Sequence, residues 1–399
     1  MRLSSRADQL RASPTLAIDA KVKELAASGA DVVNLGAGEP DFPTPKAVVE
    51  AAHAAALEGK TKYTATPGTA ELRAAIARRV GSRLGLRVDP SQVVVANGCK
   101  QALFDALQAL VGPEDEVLVL APYWVSYPQL VELAGGRMVP VAVDSRTLEP
   151  DVGALEAACT PRTRGLVLNS PNNPTGAVYS RACLEGLAAF ARERDLWILS
   201  DEIYERLVYG GAEHVSPAQV GREGLERTVV ASGFSKSYAM TGWRVGYLVA
   251  SPEVARAAGA VQGHVTSSVN TPAQWAALAA LALDESALRP MVEEFAARRT
   301  LFVNGLREAF GRIAPVAEPR GAFYLFQDVR PLLGRRHRAA GPISDDGELA
   351  TALLDHARVA VVPGTAFGAP GWIRFSYATG RDRLRAASDR IRGFLGELI

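Results

Sequence analysis

The 399-residue sequence is short of cysteine, of net charge and of long apolar runs, and each shortage removes a class of function. Its only cysteines are Cys99, Cys159 and Cys183, and no two have C-x-x-C spacing, so neither a disulfide framework nor a zinc cage is signalled and reduced thiols are expected. Lysine and arginine number 44 against 43 aspartates and glutamates, a balance that leaves no basic field for nucleic acid or an anionic membrane. A small-molecule partner is favoured instead. The longest apolar runs, such as 275–283, fall well short of the roughly 20 residues that span a bilayer. The opening run 1–15 has no apolar stretch of a secretory leader, so a cytoplasmic location is expected. His53, His214, His264, His337 and His356 are scattered without H-E-x-x-H or other ligand spacing, so surface or core positions and no metal are expected. Gly36-Ala-Gly38 continues into Glu39-Pro40, which cannot open a helix as the dinucleotide fingerprint does.

What is present is a strong alternation. Between residues 92 and 250, β-rich runs at 92–96, 116–121, 165–169, 196–200, 228–232 and 245–250 are separated by helical stretches. That pattern predicts a mostly parallel sheet covered by helices. Leu103, Leu107, Leu110 and Val111 recur at one-face spacing after Lys100, and a further helix is predicted from Leu184 to Arg194. Beyond about residue 285 the pattern becomes a long helix (291–310), a strand run (322–329), a polar insert (334–347) read as a solvated loop, another helix, and short strands at 359–363 and 373–377. A second, α+β domain is expected there, and the chain length suits two domains.

The residues that could carry chemistry gather at strand ends. Lys236 follows the run 228–232, where loops of open parallel sheets carry ligands, and is flanked by Ser235 and Ser237 with Arg244 just beyond Gly242. A lysine amine that must attack near neutral pH needs desolvation or neighbouring positive charge to lower its pKa, and Arg244 beside a phosphate-sized anion suits both needs. Asp201, in Ser200-Asp-Glu-Ile-Tyr204, also ends a strand run; alone it would read as a helix cap. Beside a lysine that condenses with a cofactor aldehyde, Asp201 would hold a ring nitrogen protonated and Tyr204 would donate to the ring's phenolic oxygen. At Asn97-Gly-Cys-Lys-Gln101 a strand breaks at Gly98 and a helix begins, so the N–H groups of Cys99 and Lys100 would face an anion with the helix dipole behind them. The turn Asn169-Ser-Pro-Asn-Asn-Pro-Thr-Gly176 would present Asn173 to a ring substituent.

Together with Lys62-Tyr63-Thr64, Pro122-Tyr-Trp-Val-Ser-Tyr127, Gly242-Trp-Arg244, Gly321-Ala-Phe-Tyr324 and Arg374-Phe-Ser-Tyr377, these motifs form an ordered set over nearly the whole chain. The set resembles the fold-type I, class I/II aminotransferases that use pyridoxal 5′-phosphate, and within them the prokaryotic aspartate aminotransferase-like subgroup. The resemblance implies an α/β fold with a mostly parallel seven-stranded sheet in a large cofactor domain, 46–284, and a smaller α+β domain made of 1–45 with 285–399. It implies that Lys236, Asp201 and Tyr204 are catalytic. Trp124 would stack on the cofactor ring, Asn173 and Tyr204 would meet its phenolic oxygen, and Gly98, Cys99, Lys100, Ser235 and Arg244 would line its phosphate end. Arg374 would grip the substrate α-carboxylate bidentately, with Gly38 adding a backbone contact. Tyr63 would reach the cofactor phosphate of a neighbouring subunit, which implies a homodimer with shared active sites.

One position and one short segment depart from the family pattern. Gly233 stands where some relatives have serine, so the phosphate is expected to lean on Ser232 or backbone. Ser267-Ser-Val-Asn270 replaces a Ser-Asn-Pro-Thr segment, which alters the second-subunit contacts of that loop. The implied reaction is ping-pong transfer of an amino group to a 2-oxo acid, with Lys236 as general base. Lys100, and Thr15 in the N-terminal segment, favour aspartate or glutamate as donor, while Arg320 is read as a solvent residue. Two alternatives remain: elimination, cyclisation or oxidation of an amino acid on the same scaffold, and a non-catalytic effector sensor. The sensor is disfavoured because the motifs begin near residue 36, without room for a DNA-binding extension.

Overall fold

Runs rich in valine, leucine and isoleucine become strands where their composition predicts, because β-branched side chains fit a sheet packed on both faces. In the computed structural model, which describes residues 14–311 and 313–399 together with Ser4 and Leu10, most of the opening run discussed above lies outside the described residues. The strands of the first part are β1 (Val33–Asn34), β2 (Val93–Ala96), β3 (Glu116–Ala121), β4 (Arg137–Ala142), β5 (Thr163–Asn169), β6 (Trp197–Asp201), β7 (Thr228–Gly233) and β8 (Gly246–Val249). Seven of them form one sheet in the order β2-β8-β7-β6-β5-β3-β4, parallel except for β8, which runs against both neighbours. The edge strand β4 was not among the sequence candidates. Pro140 and its largely exposed side chains hide it, and both features are tolerated because it lies at the edge.

The helix predicted after Lys100 runs Cys99–Leu110 and buries Leu103 and Leu107, whereas Val111 lies just past its end. The second predicted helix spans Arg181–Glu193. One sheet face packs on helices Lys46–Leu57, Ala70–Leu84 and Thr271–Leu281. The other face shares a continuous apolar core with the C-terminal part, through Phe295, Phe302, Phe323 and Phe375.

In that C-terminal part the strands are β9 (Tyr324–Asp328), β10 (Arg336–His337), β11 (Gly341–Pro342), β12 (Val359–Ala360), β13 (Val362–Pro363) and β14 (Trp372–Ser376). β13, β14 and β9 make an antiparallel sheet with Arg374 on its middle strand, backed by helices Glu285–Phe310 and Arg381–Gly396. The apolar run 359–363 splits between two sheets: β12 pairs in parallel with β1, and β13 joins β14. The insert 334–347 is not a plain solvated loop. It folds into the β10–β11 hairpin, and His337 is buried with its ring stacked 4.1 Å from that of Phe394. Arginine-rich composition concealed an apolar anchor.

Candidate active site

The parallel strands aim their C-terminal ends at one cavity of about 390 Å³, the place where open α/β sheets take ligands. Asp201 ends β6 and Asn169, its registered partner, ends β5. Asn169 Nδ2 donates to the Asp201 carbonyl at 3.0 Å while its Oδ1 accepts the Asn173 N–H at 2.8 Å, so one side chain fixes the start of both loops. Gly233 ends β7 and leads into Ser235 and Lys236. Trp124 follows β3, its ring 5.4 Å from that of Tyr127 in an edge-on contact.

Lys236, Asp201, Tyr204, Asn173, Cys99, Lys100, Trp124, Ser235, Arg244, Gly38 and Arg374 all line this cavity, although they come from distant parts of the chain. Lys236 Nζ donates to the Gly38 carbonyl. Desolvation pushes its ammonium pKa down to about 8, with Arg244 and Arg374 adding to the shift and Glu39 opposing it. Asp201 is buried against the cavity, and desolvation raises its carboxyl pKa to about 6 despite hydrogen bonds from Tyr127 Oη at 2.8 Å and the Ile203 N–H at 3.2 Å. The Cys99 thiol adds a weak contact to Oδ1 at 3.6 Å. No cation pairs with this carboxylate among the described residues.

Arg374 is 2% exposed, and no carboxylate pairs with it among the described residues. It donates to Asn173 Oδ1 at 3.0 Å and to the Gly36 carbonyl at 2.7 Å, leaving Nε without a partner. Burial lowers its pKa, and the hydroxyls of Tyr324 and Tyr204, themselves 2.9 Å apart, are the groups that oppose the shift.

Beside Asp201 the helix Cys99–Leu110 opens with Gly98 at φ +82° and no side-chain cap, so its first N–H groups are free to meet an anion. A Cβ on Gly98 would sit 2.4 Å from Arg244 Nη2, so only glycine admits the guanidinium there. Arg244 itself adopts φ +55°, a left-handed conformation costing about 1 kcal/mol, and is held by the carbonyls of Thr241 at 2.9 Å and Asn97 at 3.3 Å.

Some expectations do not meet in the cavity. Tyr63 is 92% exposed and lies outside its own chain's cavity, and Arg320 is exposed as read. Ser232 is corrected: its hydroxyl is turned to the Glu202 carbonyl at 3.2 Å and does not line the cavity. Gly233 approaches β8 so closely that a Cβ would lie 2.8 Å from Gly246 Cα, which accounts for the glycine. Asn270, in the departing loop, caps helix Thr271–Leu281 by accepting the Ala273 N–H.

Sequence reasoning missed Asp19, Glu39 and Thr241 as lining residues. Glu39 accepts from Thr241 Oγ1 at 2.8 Å; its place directly after Gly38 was the available signal. It also missed that Glu202, Glu205 and His214 lie with their ligand atoms within 4.8 Å of one another. Arg83 pairs with both carboxylates there and Arg79 with Glu205, so their charge is already met by two guanidinium groups.

No helix among the described residues is long and apolar enough to cross a membrane. Residues 30–391 match the family described as aminotransferase class I and II. The chain is 47% identical over 99% of its length to an aspartate aminotransferase of Streptomyces avermitilis, covering 97% of that protein, and 46% identical to an aspartate/prephenate aminotransferase of Thermus thermophilus, covering 99% of each. Among solved structures, the aspartate aminotransferase of Thermotoga maritima superposes with a TM-score of 0.91 at 46% identity, covering 99% of this chain and 100% of that one. The Thermus thermophilus aspartate aminotransferase with maleate gives 0.91 at 45% identity, with the same coverage.

Proposed function

The chain belongs to the class I and II aminotransferases and is a transaminase, and on that premise we propose that it moves the amino group of a dicarboxylic L-amino acid to a 2-oxo acid with pyridoxal 5′-phosphate held at Lys236. One observation carries the reading. A single cavity holds a desolvated amine between a buried carboxylate without a cation, Asp201, and a buried guanidinium without a carboxylate, Arg374.

The residues fit this cofactor end to end. Arg244, Ser235 and the open helix terminus at Cys99 and Lys100 suit a phosphate; Asp201 suits a protonated pyridine nitrogen; Asn173 and Tyr204 suit the phenolic oxygen; and Trp124 suits the ring face. When bound, pyridoxal 5′-phosphate supplies the aldehyde that receives the amino group and a ring that draws electrons from the substrate α-carbon. Arg374 holds the α-carboxylate with its two parallel N–H groups and so orients the α-carbon toward Lys236. Lys236 takes the α-proton at Nζ and releases it again, a task for which an amine with pKa near 8 is matched. Asp201 keeps its charge opposite the ring nitrogen, and Tyr204, backed by Tyr324, steadies the phenolic oxygen. Both half-reactions use the same cavity, so ping-pong kinetics follow.

Dicarboxylate preference rests on Lys100, whose Nζ stands 4.8 Å over the Trp124 ring, and on Thr15, which also lines the cavity. A relative solved with maleate, a four-carbon dicarboxylate, supports it. The same proposal includes a homodimer in which the exposed Tyr63 reaches the partner's phosphate site, a division into 46–284 and 1–45 with 285–399, and a cytoplasmic setting that suits the free cysteines.

The test is a half-reaction screen. Each amino acid is added singly to the cofactor-loaded protein, the visible absorbance is followed and products are identified by mass. Conversion by aspartate or glutamate, reversed by a 2-oxo acid, is expected. Ammonia release or oxygen uptake without reversal would overturn the reaction while keeping the scaffold. Lys236→Ala should abolish turnover with folding retained, and full activity in that variant would sink the assignment.

A further inference from the structure

The turn after β6 has two sides. Asp201, Ile203 and Tyr204 line the cavity, whereas Glu202 and Glu205 point away from it. Glu205 N–H closes the turn on the Glu202 carbonyl at 3.0 Å, and Glu202 N–H is anchored to the Ala231 carbonyl of β7 at 2.8 Å. Any shift of the two glutamates therefore moves the two cavity residues that precede them.

Both glutamates are held from behind by one side chain of a distant helix, Ala70–Leu84. Arg83 Nη2 lies 2.6 Å from Glu202 Oε2 and its Nε 3.1 Å from Glu205 Oε2. Glu202 is fully buried, and Glu205 and Arg83 nearly so, at 6% and 19% side-chain exposure. Glu202 also accepts from Ser200 at 2.9 Å and Ser216 at 2.6 Å on Oε1, and contacts His214 at 3.2 Å on Oε2. The charged and titratable groups facing the pair are Arg79, Arg83, His214, Tyr238 and Tyr247, so two arginines balance two carboxylates. A buried pair of this kind adds little net stability, yet removing one partner leaves an uncompensated buried charge that the surrounding turn must accommodate.

We propose that Arg83 is a positioning residue for the reaction: by bridging Glu202 and Glu205 it sets where Asp201 and Tyr204 meet the cofactor and keeps the charge behind them neutral. The inference rests on the cofactor reading above. It gives a specific role to an arginine that touches neither cofactor nor substrate.

The experiment compares wild type with Arg83→Met, Arg83→Lys and Arg83→Met/Glu202→Gln. The readouts are cofactor affinity, the pH midpoint of the bound cofactor's absorbance change, and kcat separately from KM. Arg83→Met leaves a net negative charge behind Asp201 and loosens Tyr204; both effects favour protonation, so the midpoint should rise by about one unit. Its kcat should fall roughly tenfold with little change in KM. The double variant restores neutrality but not the bridge, so it should return the midpoint in part and leave kcat low. Arg83→Lys keeps the charge without the fork, so it should hold the midpoint near wild type and recover kcat in part. If Arg83→Met does not fold, Glu205→Gln, which leaves Glu202 paired, carries the test with an expected three- to tenfold loss of kcat. Folded variants with wild-type affinity, midpoint and kcat would overturn the proposal. A wild-type chain that binds the cofactor but yields no oxo acid would refute the reaction instead, and the Arg83 comparison would still be read from affinity and midpoint.

Discussion

Arg374 donates from Nη1 to Asn173 Oδ1 across 3.0 Å, so the residue that would grip the substrate and one that would hold the cofactor ring touch directly, 201 positions apart in the chain. In the proposed roles, substrate docking and ring placement would be coupled through this one hydrogen bond. Arg374→Lys loses the planar fork and leaves Asn173 short of a donor. Its kcat/KM should fall by about 2–3 kcal/mol, roughly a hundredfold, with weaker binding of dicarboxylate inhibitors. Steady-state kinetics beside inhibitor titration checks this.

The Lys236 amine must be neutral to capture the cofactor aldehyde. With its pKa pushed down to about 8, the apoprotein should capture pyridoxal 5′-phosphate faster as pH rises toward 8 and level off above it. Stopped-flow absorbance across pH 6–10 gives the curve. A rate still rising at pH 10 would mean that the amine is not desolvated.

Asp201 makes an opposite prediction about stability. Its folded pKa of about 6 lies above the ordinary 3.8, so between those values the unfolded chain ionises first and the apoprotein loses stability as pH rises. Above pH 6 the deficit is constant, about 3 kcal/mol at most. Apo Asp201→Asn should therefore be more stable than apo wild type by about 1–3 kcal/mol at pH 7.5 and equal to it near pH 3.5, yet lose activity at least a hundredfold. Thermal unfolding at both pH values with an activity assay decides it.

Gly98→Ala places a Cβ 2.4 Å from Arg244 Nη2 on a backbone at φ +82°. The apoprotein should fold with a stability loss of about 1–3 kcal/mol, and the displaced guanidinium should weaken cofactor binding about tenfold or more. Equilibrium dialysis of the apoprotein with pyridoxal 5′-phosphate measures the second effect. Pyridoxal without its phosphate should show almost none.

Lys100→Met should separate donors. Activity with aspartate should fall about tenfold or more, while an apolar donor keeps its rate. Equal losses on both would move Lys100 from substrate recognition to the phosphate end.

The central sheet was readable because each buried strand is a short β-rich run bounded by turn residues. Asp201, Lys236 and Asn173 were readable because each follows such a run at the end where ligands gather. What stayed hidden depends on contacts between distant segments. β4 is a Pro-containing edge, and the His337 hairpin is anchored by Phe394, which lies 57 positions on. Arg83 is one of four arginines in its helix, and nothing local distinguishes it from the exposed Arg78. Ser232 was misjudged because adjacency to Gly233 says nothing about which face of β7 it takes, and the pleat turns it to the Glu202 carbonyl.

β1 pairs with β12, Leu35 accepts the Ser376 N–H, and Arg374 donates to the Gly36 carbonyl, so one wall of the cavity is sewn from segments more than 300 residues apart. During synthesis that wall cannot exist until β14, which carries Arg374, has been made and has left the ribosome. Arg374 is thus the last of the cavity's lining groups that translation delivers, so any grip on a carboxylate waits for it.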